Sequence, residues 1–118
     1  MTTTSEEFTE QWLRQTLAAL GTDADQVAAS LRAAKITGDR NGPSTCPIAR
    51  YLGERAGARW PSARVTATVS ACTVTVGLDL PEADYRYVQT RPPEAVQAFI
   101  RVFDTGGAYS DLDAGLGA

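Results

Sequence analysis

The stretch from Ala63 to Leu78, A-R-V-T-A-T-V-S-A-C-T-V-T-V-G-L, leaves this chain few choices. Val65, Ala67 and Val69 alternate with Arg64, Thr66 and Thr68; Cys72, Val74 and Val76 alternate with Thr73 and Thr75. Period-two alternation marks half-buried strands, and two such runs back to back read as an antiparallel hairpin. A two-residue turn at Ser70-Ala71 would pair Val69 with Cys72, Ala67 with Val74 and Val65 with Val76. The same register pairs Thr68 with Thr73 and Thr66 with Thr75, giving one apolar face and one largely threonine face. An isolated hairpin is marginal in water, so helices must cover the apolar face.

The remaining chain supplies them. Thr4 and Glu7 fit a capping box ahead of Phe8, Trp12, Leu13, Thr16, Leu17 and Leu20, which fall on one helical face that Gly21 closes. The pair Phe8 and Trp12 reads as core in preference to a ligand cage. Thr22 and Asp25 introduce a second helix through Val27, Leu31 and Ala34, and so short a connection predicts an antiparallel helical hairpin. A third helix is expected from Cys46 or Pro47 to about Arg55, ending at Gly57. Trp60-Pro61 then opens an extended segment. Residues 83–88, with Tyr85 and Tyr87 alternating against Arg86, form a candidate third strand. Thr90-Arg91-Pro92-Pro93-Glu94 precedes a last helix with the stripe Val96, Phe99, Ile100 and Phe103, stopped by Gly106-Gly107. The expected fold is α+β: three N-terminal helices, an antiparallel hairpin with that candidate strand, and a C-terminal helix. Residues 1–118 form a single domain whose residues 105–118 are a partly ordered tail held by Tyr109 and Leu112.

Between the second and third helices lies the densest punctuation in the chain, I-T-G-D-R-N-G-P-S-T-C-P-I-A-R-Y-L. Gly38 and Gly42 permit positive φ, Asn41-Gly42 is a turn dipeptide, and Pro47 suits the first position of a helix. Unpaired amides and the positive dipole end collect there. Arg40, Cys46 and Arg50 are therefore the candidate binding residues, for an anion or for an acidic group of a partner. Cys46 at a helix start is also the one candidate for a depressed thiol pKa. The simpler alternative is a loop anchored by a small buried cysteine, with its arginines satisfied inside the protein.

Charge is unevenly spread over a net −3. Residues 37–76 carry +3, while the segments before and after carry −2 and −4. The positive block coincides with the loop, although neutralisation of the acidic C-terminal third on folding is the favoured account. There is no histidine, which removes Ser-His-Asp and Cys-His catalysis. Two cysteines without histidine do not make a zinc site, and Asp79, Glu82 and Asp84 lack calcium-loop spacing. No phosphate-binding G-x-x-x-x-G-K-[ST] occurs, and no cofactor or metal is expected. The link between the second and third helices is too long for a helix-turn-helix, and a pI near 4.8 argues against a broad phosphate footprint. No apolar run is long enough to span a membrane, and the polar, acidic start M-T-T-T-S-E-E-F is unlike a signal peptide, so the chain is expected in the cytoplasm.

Two segments, T-G-D-R-N-G-P-S-T-C-P-I-A-R-Y-L and A-V-Q-A-F-I-R-V-F-D-T-G, resemble small uncharacterised actinobacterial proteins with a G-x-R-G-x(4)-C-P-[LIV]-A-R-Y-L-like centre and an F-[VI]-x-x-F-D-x-G-like end. Here Asp39 and Asn41 flank Arg40, one asparagine more than that centre carries. The resemblance implies a lineage and no activity. From the residues alone, the expected role is a non-enzymatic interaction or regulatory protein that binds another protein, with nucleic acid the weaker partner class and oligomeric state open. The competing role is a thiol-dependent enzyme or redox sensor built on Cys46.

Overall fold

The computed structural model describes residues 7–70, 72–81, 85–105 and 108–114. Three helices, α1 (Glu10–Ala18), α2 (Ala24–Ala33) and α3 (Pro47–Arg59), precede three strands, β1 (Arg64–Val69), β2 (Val74–Asp79) and β3 (Arg86–Thr90). A fourth helix, α4 (Glu94–Asp104), and a single 3-10 turn (Ser110–Leu112) complete an α+β fold. No helix among the described residues is long and apolar enough to cross a membrane.

Local signals set the helix ends, at positions that differ from the sequence reading. Thr4 lies outside the described residues, and the cap of α1 is Thr9, whose hydroxyl accepts from the Trp12 amide at 3.1 Å. For α2 the cap is Asp23, not Thr22. The Asp23 carboxylate accepts from the Gln26 amide at 2.8 Å, and the Gln26 side chain reaches back to accept from the Thr22 N–H at 2.7 Å. This is a reciprocal cap built on glutamine. Helix α3 does start at Pro47, with Cys46 as its cap, but it passes through Gly57 and stops at Trp60. Both of its glycines face open space, and Pro61 forces the residue before it out of the α region.

The expected α1–α2 hairpin is replaced by a split arrangement: α1 lies against β3, α2 packs along α4, and α3 packs on β1. A stripe of Leu13 and Leu17 on one helix, and of Val27 and Leu31 on the other, seeks apolar cover of any source. The sheet and α4 offer more of it than either helix offers the other.

The sheet is an antiparallel meander in the order β1-β2-β3. Its hairpin register is Val69↔Val74, Ala67↔Val76 and Val65↔Leu78, shifted by two residues from the register expected above. The cause is Ser70. Its hydroxyl accepts from the Cys72 and Thr73 amides at 3.2 and 3.0 Å, and its own N–H donates to the Thr73 carbonyl at 2.9 Å. The turn therefore spans residues 70–73, and Cys72 sits exposed in it instead of pairing with Val69. A shift of two preserves every side chain's face. Val69, Val74, Val76 and Leu78 are buried, while Thr66, Thr68 and Thr73 are exposed. Val65 and Thr75 are half-buried. The third strand forms, beginning at Arg86; residues 82–84 lie outside the described set.

The core joins that face to Leu13, Leu17, Leu31, Ile48, Leu52 and the buried stripe Val96, Phe99, Ile100 and Phe103 of α4. Phe8 and Trp12 pack edge-on against Trp60 at 5.2 and 5.1 Å between centroids, closing one end. The segment after α4 is fixed at several points. Tyr109 stacks on Phe99 at 5.3 Å, Leu112 is buried, and Gly38 bridges to Asp113 in parallel. The Tyr109 phenol donates to Asp25 at 2.6 Å, and that carboxylate pushes its pKa up to about 12.

The register makes Val74→Ala and Val65→Ala an informative pair. Val74 is fully buried on the central strand. Its truncation should cost about 2 kcal/mol in denaturant unfolding, and the half-buried edge residue Val65 about half of that or less.

Candidate functional site

Arg40, Cys46 and Arg50 are not assembled into one cradle. Asn41 adopts the left-handed conformation (φ 57°) for which the two loop glycines were the expected candidates. Gly38 serves a different need. A Cβ there would lie 2.4 Å from the Pro47 nitrogen, so only glycine lets this strand pass the start of α3. The loop then turns Arg40 to the end of α4 and the segment beyond it. Its guanidinium donates to the Phe103 carbonyl at 3.0 Å, the Ala108 carbonyl at 3.3 Å and the Asp113 carboxylate at 2.8 Å. It also lies over the Phe103 ring at 4.9 Å. The acidic group that Arg40 was expected to meet is thus a carboxylate of the same chain.

Cys46 is buried at the start of α3, where its sulfur accepts from the Ala49 amide at 3.4 Å. Burial pushes the thiol pKa up. The Ala49 and Ile48 amides pull the other way, and the Asp104 carboxylate adds to the rise. A helix start alone favours a thiolate, and here desolvation wins. Arg50 is exposed on the first turns of α3.

Cys46 does border a cleft of about 410 Å³ between the loop, the hairpin turn and the end of α4. Pro43, Val69 and Ile100 form apolar wall, and Asn41, Arg101 and Asp104 form the rim. Neither Arg40 nor Arg50 lines it. Its electrostatics are mixed: Arg101 and the start of α3 bring positive character, while α4 presents its negative dipole end and Asp104, whose carboxylate already accepts from the Asn41 amide at 2.9 Å. Among the described residues, no group of three His, Cys, Asp or Glu side chains could hold a metal.

The other candidate surface is the sheet face that bears Thr66, Thr68 and Tyr87, all exposed. Tyr85 and Tyr87 are 55% and 60% exposed, and their rings stack at 6.3 Å between centroids. The Tyr85 hydroxyl lies over Gly77, where a Cβ would stand 2.1 Å from it. Alongside run the exposed Thr66 and Thr68, and Gln89 donates to the Thr75 hydroxyl at 3.0 Å. Sequence reasoning took these tyrosines only as strand markers. Their signal was the shared parity of Tyr85, Tyr87 and Gln89 with the polar threonines of the neighbouring strands. Comparison with family models, curated proteins and solved structures finds no match to this chain.

Two measurements test this geometry. A thiol-reactive probe on the native protein should label the exposed Cys72 rapidly and Cys46 only as the protein unfolds; rapid labelling of both near neutral pH would contradict the burial described. Arg40→Ala removes a largely buried ion pair, two carbonyl contacts and a ring contact, and should lower stability by about 2–4 kcal/mol in denaturant unfolding.

Proposed function

We propose that this protein is a small non-enzymatic interaction or regulatory protein that binds another protein through the open face of its sheet. The observation that carries this reading is the exposed, mutually stacked pair Tyr85 and Tyr87 beside a threonine-lined surface. Tyrosine offers large contact area at low conformational cost, and short hydroxyl side chains around it give adaptable hydrogen bonding. Such aromatic anchors dominate the energetics of protein interfaces.

Charge supports a protein over a nucleic acid. Arg64 stands opposite Asp79 in the sheet register, so the face carries no basic stripe, and the chain as a whole is acidic. A thiol-dependent role draws less support, because Cys46 is buried with a raised pKa. A cytoplasmic setting belongs to the same proposal, supported by two cysteines that form no disulfide. Kinship with small actinobacterial proteins is likewise a proposal, resting on the C-P-I-A-R-Y-L centre and the F-I-R-V-F-D-T-G end.

Photo-crosslinking in the native host tests it. A photoreactive residue at Tyr87 should capture a discrete partner, and Tyr85→Ala made in that same protein should reduce the capture. The same probe at Arg14, exposed on α1, should capture none of it. Equal capture from both positions, or none from Tyr87, would sink the reading.

A further inference from the structure

The two edges of the sheet are not equivalent, and backbone parity shows how. In an antiparallel ladder the N–H and C=O of one residue point to the same side, and successive residues alternate sides. The Val69 N–H donates outward to the Pro43 carbonyl at 2.8 Å, and the Ser70 N–H donates inward to Thr73 at 2.9 Å. Even-numbered residues of β1 therefore face β2. Carried through the unbroken registers, the even-numbered residues of β2 face β3, and Arg86, Val88 and Thr90 face back. That leaves Tyr87 and Gln89 with both main-chain groups directed to the outer edge of β3. Among the described residues no main-chain group meets them.

On β1 the equivalent outward row is Val65, Ala67 and Val69, and Pro43 already occupies its last position. A strand arriving there would have to displace the loop at Pro43. The row on β3 makes no such main-chain bond among the described residues. It also ends on Arg91-Pro92-Pro93, so an added strand can cover Tyr87 to Gln89 and little beyond.

We propose that the chain pairs with a second copy of itself through this edge, antiparallel, β3 to β3, with Val88 on the two-fold axis. That register is chemically self-consistent. Tyr87 stands opposite the second copy's Gln89, and each of these two pairs exchanges both of its main-chain bonds. Half-buried Val88 meets its own counterpart on the helix-covered side, removing apolar surface from water. Arg86 meets Thr90, so no like charges oppose one another. The result is one sheet of twice three strands, with the tyrosine pairs of both copies on a single face around the axis. The proposal goes beyond the functional reading above, because it rests on the edge and not on the face, and its test needs no partner protein.

Sedimentation equilibrium on the full chain, from micromolar to millimolar, reads the outcome. Wild type should rise from the mass of one chain toward that of two. Gln89→Pro removes an outward N–H and one exposed side-chain bond to Thr75 but leaves every main-chain bond from β3 to β2 in place, so it should fold and lose the dimer. Ala67→Pro makes the same change on the edge of β1 and should keep the dimer. A wild type of single-chain mass at every concentration overturns the proposal, as does a dimer that survives Gln89→Pro or is lost in Ala67→Pro alone. Should Gln89→Pro not fold, amide exchange of the wild type decides. Tyr87 and Gln89 amides that slow with rising concentration support the pairing, and amides indifferent to it overturn it.

Discussion

The fold turns on one close approach. At Gly38 the chain passes so near the start of α3 that no side chain fits, and on its other side it bonds in parallel to the segment around Asp113. Two residues later Arg40 gathers the Phe103 carbonyl of α4, the Ala108 carbonyl and the Asp113 carboxylate. One short loop thereby joins the start of one helix, the end of another and the C-terminal segment. A guanidinium suits this task. It has donors in several directions and a planar face that rests on Phe103, and it needs no deprotonated state to pack. A helix leaves its last acceptors without intrahelical partners, and here Arg40 shares that task with Thr105, whose hydroxyl donates to the Arg101 and Val102 carbonyls, and with the Asn41 side chain, which donates to the Asp104 carbonyl.

That clamp explains why the richest motif in the sequence is structural. The features that mark a ligand loop (glycine, capping residues, an arginine, a cysteine at a helix start) also build a tight internal junction. Which of the two they build depends on where the arginine's acceptors lie. Here they lie more than sixty residues away along the chain, at Phe103 and Asp113. No local pattern near Arg40 points to them. The thiol follows the same logic. Cap position was legible at Cys46, but its burial against the end of α4 and Asp104 was not, and burial decides its acidity.

Elements governed by short-range periodicity were read more directly. The apolar stripe of α4 and the start of α3 at Pro47 needed only spacing and proline chemistry. The hairpin faces were legible because a shift of two cannot invert them, whereas the register rested on a serine hydroxyl competing for turn amides. Helix pairing was the weakest inference. A short connection brings α1 and α2 near in sequence, yet α1 lies against β3 and α2 along α4. Tyr85 and Tyr87 were visible as residues, and their exposure became clear only once the helices were known to share one side of the sheet.

That one-sidedness links the clamp to the open face of the sheet. Helices α1 and α3 lie against the outer strands, and α4 adds its buried stripe to the same core as the central valines. Every large apolar side chain of the strands except the tyrosines is then directed to that core. The opposite face needs only to remain wet, a condition threonine and glutamine satisfy alone. Two stacked tyrosines there, one of them held over a glycine, exceed what solubility asks of a surface. Gly77 places a backbone-only site in the middle of the sheet, and the Tyr85 ring fills it. A glycine weakens a strand interior unless something packs over it. The aromatic that packs over it is left more than half exposed, available to a partner.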